Sequence, residues 1–290
     1  MIAQVFRELN YYFGYDLNDA NDNLWFTLIF NRPEVLNYSP EEFNKTFNIF
    51  MKGITGEGNF TNDERNLLEG YTKVKRYRES QEWLLKRKHT LLSTDVSSKI
   101  FFPWLKNGIL NSRYIEETKV PLSWNKGFRE NELWGWKEPN SHLFLDKLLN
   151  IYPDMKYIHI VRNGLDMAHS ENQGQLNFWG KHIIGDDIEY TPYYSLKYWA
   201  TVHKRIIDIG KDMGKNFLML SYDEFCAEPN QGLDKISDFI ELDISNLPKN
   251  KLANLISPPK SIGRYKQFGL DCFDANDVAF AKSLGFDTSI

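Results

Sequence analysis

Cysteine is scarce in this chain of 290 residues, which contains only Cys226 and Cys272. Two cysteines this far apart form neither a metal-ligand motif nor a disulfide framework, so the composition indicates a reducing compartment such as the cytoplasm. No apolar run approaches the ~20 residues that a membrane-spanning helix needs. An excess of positive charge is also missing, since the formal net charge is −4 and the pI is about 5.9. A nucleic-acid partner held by bulk charge is therefore excluded, and any phosphate site must be a local cluster of Arg and Lys.

Aromatic residues, in contrast, are abundant: they make up 15% of the sequence, and 42% of all residues are hydrophobic. Aromatic side chains bury large areas when they pack, so this composition provides for a sizeable core. The length suits one large α/β domain or two small ones. The simplest partition is a single domain over residues 1–290 with a helical excursion at about 39–110.

Apolar strands that alternate with helices predict an α/β fold in the second half of the chain. Lys156–Val161 is apolar on both faces, which is the pattern of a buried parallel strand, and Phe217–Leu220 is a similar run. Glu132–Lys137 is a shorter strand candidate. A long helix is predicted at about Tyr194–Met213, whereas Gly174–Pro192 is predicted to be a long loop. This order implies right-handed crossovers and a parallel sheet flanked by helices.

Helical patterns dominate the first half. Met1–Phe13 has apolar residues at helical spacing. Ser39–Glu42 is a capping box with Pro at the first helical position, and Thr61–Glu64 caps a further helix. Residues 64–95 combine many charges with interspersed Leu, which is typical of surface helices. The basic run Lys86–Lys88 could be a binding patch, but a solvated helix face explains it more simply.

Polar residues follow the predicted strands, at Lys137, at Arg162 and at Ser221–Tyr222. Ligands of open parallel sheets bind outside the carboxyl ends of the strands. Arg162 stands out because Asn163–Gly164 follows it and Ser170 lies eight residues further on. A phosphate there could receive the guanidinium, the hydroxyl and the positive end of a helix dipole. The alternative is an Arg162 that pairs with a carboxylate and a Ser170 that is an ordinary helix residue; the motif alone leaves both open.

Four segments, in order, resemble motifs of the sulfotransferase family. Tyr157–Ser170 is similar to that family's 3′-phosphate motif, and Trp134–Pro139 resembles the strand that carries an active-site lysine in tyrosylprotein and related bacterial sulfotransferases. Leu220–Pro229 resembles the following tyrosine strand and acidic turn. Ser261–Lys266 resembles the late loop that folds over the donor's 3′-phosphate. The resemblance implies a P-loop nucleoside-triphosphate-hydrolase-like fold and, without a metal, sulfuryl transfer from 3′-phosphoadenosine 5′-phosphosulfate.

The resemblance also implies a role for each matching residue. Lys137 would offset the negative charge that accumulates on the bridging oxygen as the phosphoadenosine leaves. Asp22 is a candidate general base, because an acidic residue shortly after the donor loop serves this role in the tyrosylprotein enzymes. Arg162 and Ser170 would bind the 3′-phosphate, and Tyr222 would line the nucleotide pocket. The loop residues that would close over the phosphate are Gly263, Arg264 and Lys266.

Histidines supply alternative candidates for the general base. His142 and His182 are the two that the sequence leaves open. His159 lies inside an apolar strand and is expected to be a core residue, and His169 is expected to point away from the phosphate site. The sequence contains no metal-ligand spacing.

The start of the chain lacks one expected feature. Family members open with a strand and a Gly-Ser/Thr loop that wraps the 5′-phosphosulfate, followed by a helix. Here no glycine precedes Gly14, and Met1–Phe13 matches the helix that follows that loop. Gly53–Gly58 does not replace the loop, because polar residues follow it. We expect that the sequence starts late; a degenerate relative, or a phosphosulfate site built from other residues, are the alternatives.

The leading interpretation is a sulfotransferase for a hydroxyl or amine acceptor, such as a carbohydrate, a lipid or a small metabolite. A non-catalytic nucleotide-binding relative is the alternative. A P-loop kinase ranks below both, because neither a Walker loop nor a magnesium-binding acid is visible. The acceptor pocket is expected to involve segment 39–110 and the aromatic residues of 174–192, although those aromatics would equally suit packing. Its candidate side chains are Phe178, Trp179, Tyr190, Tyr193 and Tyr194.

Overall fold

Helices outnumber strands in the part of the chain that the structure describes. The structure is a computed structural model, and it describes residues 2–14, 17–18, 20–55, 60–73, 133–242 and 249–290. The chain divides into two compact units, Ala3–Ser141 and His142–Ile290, the latter with residues 1–2. The basic run Lys86–Lys88 and the larger part of the predicted surface helices at 64–95 lie outside the described residues. The partition into one domain with a helical excursion stays a prediction.

The N-terminal unit begins its helices at the predicted signals. The backbone N–H of Glu42 donates to the Ser39 hydroxyl, and the Glu42 carboxylate accepts from the Ser39 N–H, which completes the capping box. Thr61 and Glu64 repeat this exchange. Both predicted helix starts are confirmed. The described helices are α1 (Ile2–Glu8), α2 (Leu24–Phe30), α3 (Pro40–Thr55) and α4 (Asn62–Lys73).

An aromatic cluster forms the core of this unit. Phe26 and Phe30 of α2 are completely buried, and both contact Phe50 of α3 with ring centroids 5.6 and 5.9 Å away. Trp136 stacks on Phe26 at 5.9 Å. The high aromatic content of the sequence is thus used, in this unit, to build a core.

The predicted strand Glu132–Lys137 does not form in the described residues. Trp134 makes only an isolated parallel bridge to Tyr12, whose N–H donates to the Leu133 carbonyl and whose carbonyl accepts from Gly135. Tyr12 belongs to a short connection after α1 and offers no continuous partner, while Trp136 is drawn into the aromatic cluster. Lys137 therefore lies on an extended connection rather than on a sheet strand.

The C-terminal unit contains a small parallel sheet. β1 (Tyr157–Val161) pairs with β2 (Phe217–Ser221), in a register that places Val161 opposite Ser221. Both strands were predicted, and the parallel pairing is confirmed. Because the two strands end side by side, Arg162 and Tyr222 leave the sheet at the same edge.

Eight helices of this unit precede, separate or follow the two strands along the described part of the chain. Gly214, with φ of +54°, ends the longest helix close to the predicted position, because glycine adopts this conformation without strain. None of the described helices is both long and apolar enough to cross a lipid bilayer. The helices are α5 (Leu145–Ile151), α6 (Gly164–Ala168), α7 (Gly174–Ile184), α8 (Pro192–Met213), α9 (Tyr222–Ala227), α10 (Pro229–Ile240), α11 (Lys249–Ala253) and α12 (Ala275–Ser283).

The prediction of a long loop at Gly174–Pro192 is wrong for its first half, which is α7. Leu176, Trp179 and Gly180 are buried and lie at helical spacing, so one face of the segment packs into the core. The Asn172 side chain accepts a hydrogen bond from the Gly174 N–H and helps to start the helix. The packing of this face outweighs the low helix propensity of the glycines in the segment.

Candidate functional site

Arg162 follows the last residue of β1 and is held by three contacts. Its guanidinium donates to the Ser261 hydroxyl at 2.9 Å and lies over the Tyr222 ring, 4.8 Å from the centroid. The Trp199 indole N–H donates to the Arg162 carbonyl at 3.1 Å and fixes the backbone. No carboxylate forms an ion pair with Arg162 among the described residues. The structure therefore brings together Arg162, Tyr222 and the loop that begins at Ser261.

Ser170 lies just beyond α6, which is a single turn of five residues. Because the helix is so short, the case for an anion here rests on side chains rather than on a helix dipole. The Ser170 hydroxyl accepts from the Asn172 N–H at 3.3 Å, and its own N–H donates to the Met167 carbonyl. No hydrogen bond joins Ser170 to Arg162 in the described part of the chain.

Asp166 anchors the late loop and was not identified from the sequence. Its buried carboxylate accepts from the backbone N–H groups of Gly263 at 2.8 Å and Tyr265 at 3.1 Å. Gly263 has φ of +78°, a conformation that favours glycine. Arg264–Gln267 then forms a short 3-10 helix. The two contacts of Asp166 join residues that are 97 and 99 positions apart in the sequence. No local sequence signal could therefore have predicted them.

Arg264 and Lys266, the two basic residues of this loop, already contact oxygen atoms of the protein. The Arg264 guanidinium donates to the His169 carbonyl at 3.1 Å, next to Ser170. The Lys266 ammonium pairs with the Asp287 carboxylate at 2.7 Å, and both side chains are well exposed. Lys266 holds the pKa of Asp287 well below its ordinary value, helped by hydrogen bonds from Ser289. An oxyanion is therefore a ligand that Lys266 can accommodate.

Lys137 and Asp22, the predicted catalytic residues, form an ion pair within the N-terminal unit. The second Asp22 oxygen accepts from the Asn18 side chain at 2.9 Å. The Asn23 N–H donates to the Lys137 carbonyl at 2.7 Å, which ties the two segments together. Lys137 and Asp22 are 115 positions apart in the sequence, and about a third of the Lys137 side chain remains exposed. Glu138, the next residue, is buried and was also not identified from the sequence.

The histidines divide into core and surface residues. His159 is buried in β1 with its ring 5.0 Å from that of His203, in agreement with the predicted core role. His169 stacks on Phe268 at 4.2 Å. His182 is exposed in the last turn of α7, whereas His142 is buried. The assignment of a general base among them stays a prediction.

The aromatic residues proposed for an acceptor pocket also divide. Trp179 is almost completely buried and packs edge-on against Phe144, so it belongs to the core. Tyr190 is 44% exposed. Tyr193 and Tyr194 are half-buried and contact each other at 5.1 Å. Of these five proposed side chains, the three tyrosines and Phe178 are at least partly exposed and remain candidates for acceptor binding.

Two parallel strands followed directly by Arg162 and Tyr222, together with the basic loop that contacts Arg162, define an α/β protein with a candidate oxyanion site. Over the described ranges, no three His, Cys, Asp or Glu side chains are grouped to hold a metal ion. A family model described as "Sulfotransferase family" matches residues 38–246. The match covers well over half of the chain, and the protein belongs to the sulfotransferase family. No curated protein and no solved structure matches the chain.

Proposed function

We propose that this protein transfers a sulfuryl group from 3′-phosphoadenosine 5′-phosphosulfate to a hydroxyl or amine acceptor, on a P-loop nucleoside-triphosphate-hydrolase-like fold. The observation that carries this proposal is Arg162. In a member of the sulfotransferase family, it lies at the carboxyl edge of a parallel sheet and is oriented by Ser261 and Tyr222, and among the described residues no carboxylate lies within ion-pair distance of it. Two further cations lie on the loop anchored by Asp166.

The chemistry of these side chains fits the donor's 3′-phosphate. Guanidinium, ammonium and hydroxyl groups are the donors that phosphate oxygens accept from most strongly. Lys266 already accommodates an oxyanion in the form of Asp287. The Tyr222 ring would line the nucleotide pocket. The side chains proposed to hold the 3′-phosphate are those of Arg162, Ser170, Arg264 and Lys266, and Gly263 is proposed to provide the turn that lets the loop close over it.

Lys137 and Asp22 are proposed to assist the transfer itself. The acceptor oxygen or nitrogen forms a bond to sulfur, the bond from sulfur to the bridging phosphate oxygen breaks, and the acceptor loses a proton. Asp22 would take that proton, and Lys137 would offset the charge that develops on the leaving phosphate. Their ion pair holds the ammonium and the carboxylate next to each other before the acceptor binds. The acceptor is proposed to be a small molecule, a carbohydrate or a lipid.

Calorimetry with 3′-phosphoadenosine 5′-phosphate tests the donor site. Arg162→Ala should weaken binding at least roughly tenfold, because a hydrogen bond to a charged group contributes about 1.5–3 kcal/mol. Arg205→Ala is the matched control, since this exposed arginine pairs with Asp146 in the same unit. Equal affinity of wild type and Arg162→Ala would overturn the assignment, and ATP should bind much more weakly than the 3′-phosphorylated nucleotide.

A sulfate-transfer assay with a panel of phenolic, carbohydrate and lipid acceptors tests the reaction. Lys137→Ala should lower kcat by roughly 10²–10³, the range found when one group that stabilises developing charge is removed. Lys211→Ala, which removes an exposed lysine paired with Asp208, should leave kcat unchanged. Nucleotide binding without turnover on any acceptor would favour the non-catalytic relative instead.

A further inference from the structure

Glu138 is a buried carboxyl directly beside the proposed catalytic lysine. It lies on the connection that also carries Lys137. Lys137 pairs with the partly exposed Asp22, while Glu138 is only 9% exposed. Its two oxygens accept from the Asn140 N–H at 2.5 Å and from the Asn140 side-chain amide at 3.0 Å.

The groups around Glu138 disfavour its charged form. Burial is the main cause that raises its pKa, to about 7, and the negative charge of Asp22 acts in the same direction. The two hydrogen bonds from Asn140 and the positive charge of Lys137 act in the opposite direction and do not compensate. Near neutral pH, Asp22, Lys137 and Glu138 therefore form a group of three whose net charge changes with one proton.

We propose that Glu138 is a positioning residue that sets how strongly Lys137 can act in sulfuryl transfer, an inference that rests on the proposed function. With Glu138 neutral, the Lys137 ammonium is balanced by Asp22 alone. With Glu138 ionised, a second negative charge lies close by and weakens the positive potential that Lys137 offers to the leaving phosphate. Because Glu138 is buried, this charge is poorly screened by water.

The sign of the pH dependence follows from this arrangement. Glu138 is neutral below its pKa, so transfer is faster on the acid side of neutrality and slows as the pH rises through about 7. The effect falls on kcat, because Lys137 acts on charge that develops during the reaction. The KM for the donor should change little.

The pH profile of kcat between pH 5.5 and 9 tests the proposal. The wild type should lose activity roughly five- to tenfold across neutrality, whereas Glu138→Gln should remove this decrease. Asn140→Ala removes the side-chain hydrogen bond that favours the charged form, so it should move the decrease to higher pH. Glu41→Gln, at an exposed carboxylate paired with Lys45, should keep the wild-type profile. An unchanged decrease in Glu138→Gln would overturn the proposal.

A titration followed by carboxyl ¹³C NMR separates this inference from the proposed function. The Glu138 signal should titrate near pH 7, and Asp22→Asn should move its midpoint to lower pH because a nearby negative charge is removed. A midpoint in the ordinary range, or one that Asp22→Asn leaves in place, would overturn the inference even in an active enzyme. The expected titration together with no transfer on any acceptor would overturn the proposed function and, with it, the catalytic meaning of Glu138.

Discussion

The Lys266 ammonium is paired with the Asp287 carboxylate, whereas the proposed function requires it to bind a phosphate. Its ammonium and the Asp287 carboxylate are 2.7 Å apart, and the Asn163 side chain donates to the Asp287 carbonyl at 3.0 Å. The segment near residue 287 is thus attached both to the loop and to the turn after β1. A phosphate at this loop would compete with Asp287 for one cation.

Removal of this competitor should strengthen nucleotide binding. Asp287→Asn should lower the Kd for 3′-phosphoadenosine 5′-phosphate by up to about fivefold, since an exposed ion pair contributes little and salt weakens it. Calorimetry at low and high salt measures the effect, and the gain should shrink at high salt. Asp208→Asn, in another exposed lysine pair, is the control. Weaker binding by Asp287→Asn would show that the contact supports the loop instead.

At the scale of the elements, α6 and α8 approach so closely that only glycine fits between them. A Cβ at Gly164 would lie 2.5 Å from the Trp199 ring and 2.9 Å from Leu196. The same Trp199 donates its indole N–H to the Arg162 carbonyl. The close approach therefore fixes both the packing of the helices and the backbone that carries Arg162.

Gly164→Ala should destabilise the protein by about 1–3 kcal/mol, because it overpacks the contact with Trp199. It should also weaken nucleotide binding, since a shift of Trp199 disturbs Arg162. Gly70→Ala provides the contrast: its Cβ would meet no atom within 4 Å, so a gain of up to about 1 kcal/mol is expected. Urea denaturation measures both changes. A stable Gly164→Ala variant would show that Trp199 can move aside at little cost.

Local signals in the sequence account for much of the element structure. The Ser39 and Thr61 capping boxes and the apolar strands could be predicted because each depends on residues close together in the chain. α7 was missed although Leu176 and Trp179 lie at helical spacing, so this helix was within reach of the sequence. The pairing of Lys137 with Asp22, and the contacts of Asp166 with Gly263 and Tyr265, join residues about 100 positions apart. Individual site residues could be predicted, but the contacts that orient them could not.

At the scale of the whole molecule, the buried His159 and the half-buried His203 make the fold sensitive to acid. Burial lowers the pKa of His203 to about 4, although its contact with the Trp199 carbonyl acts in the opposite direction. Burial also holds the pKa of His159 well below its ordinary value, and the neighbouring His203 and His142 add to this effect. Both histidines are therefore neutral in the folded protein near neutral pH.

Protonation of these two histidines should destabilise the protein as the pH falls. Since their folded pKa values lie below the unfolded value of about 6.5, their contribution to stability is complete above pH 6.5 and is lost as the pH falls toward 4. Each histidine can cost up to about 1.4 kcal/mol per pH unit in that window. Urea denaturation at pH 7.5, 6 and 5 measures this loss, and His203→Gln should reduce it. His182→Gln, at an exposed histidine, should not.

The hydrogen bonds between the loop and Asp166 have a consequence for hydrogen exchange. The N–H groups of Gly263 and Tyr265 are already bonded to this buried carboxylate, so neither is free to donate to an incoming phosphate. Both amides should exchange slowly with deuterated water in the free protein, and nucleotide should protect them little further. A bound nucleotide should instead change the surroundings of the Arg162, Arg264 and Lys266 side chains. The backbone of this site is therefore fixed before the nucleotide binds, and only its charged side chains rearrange.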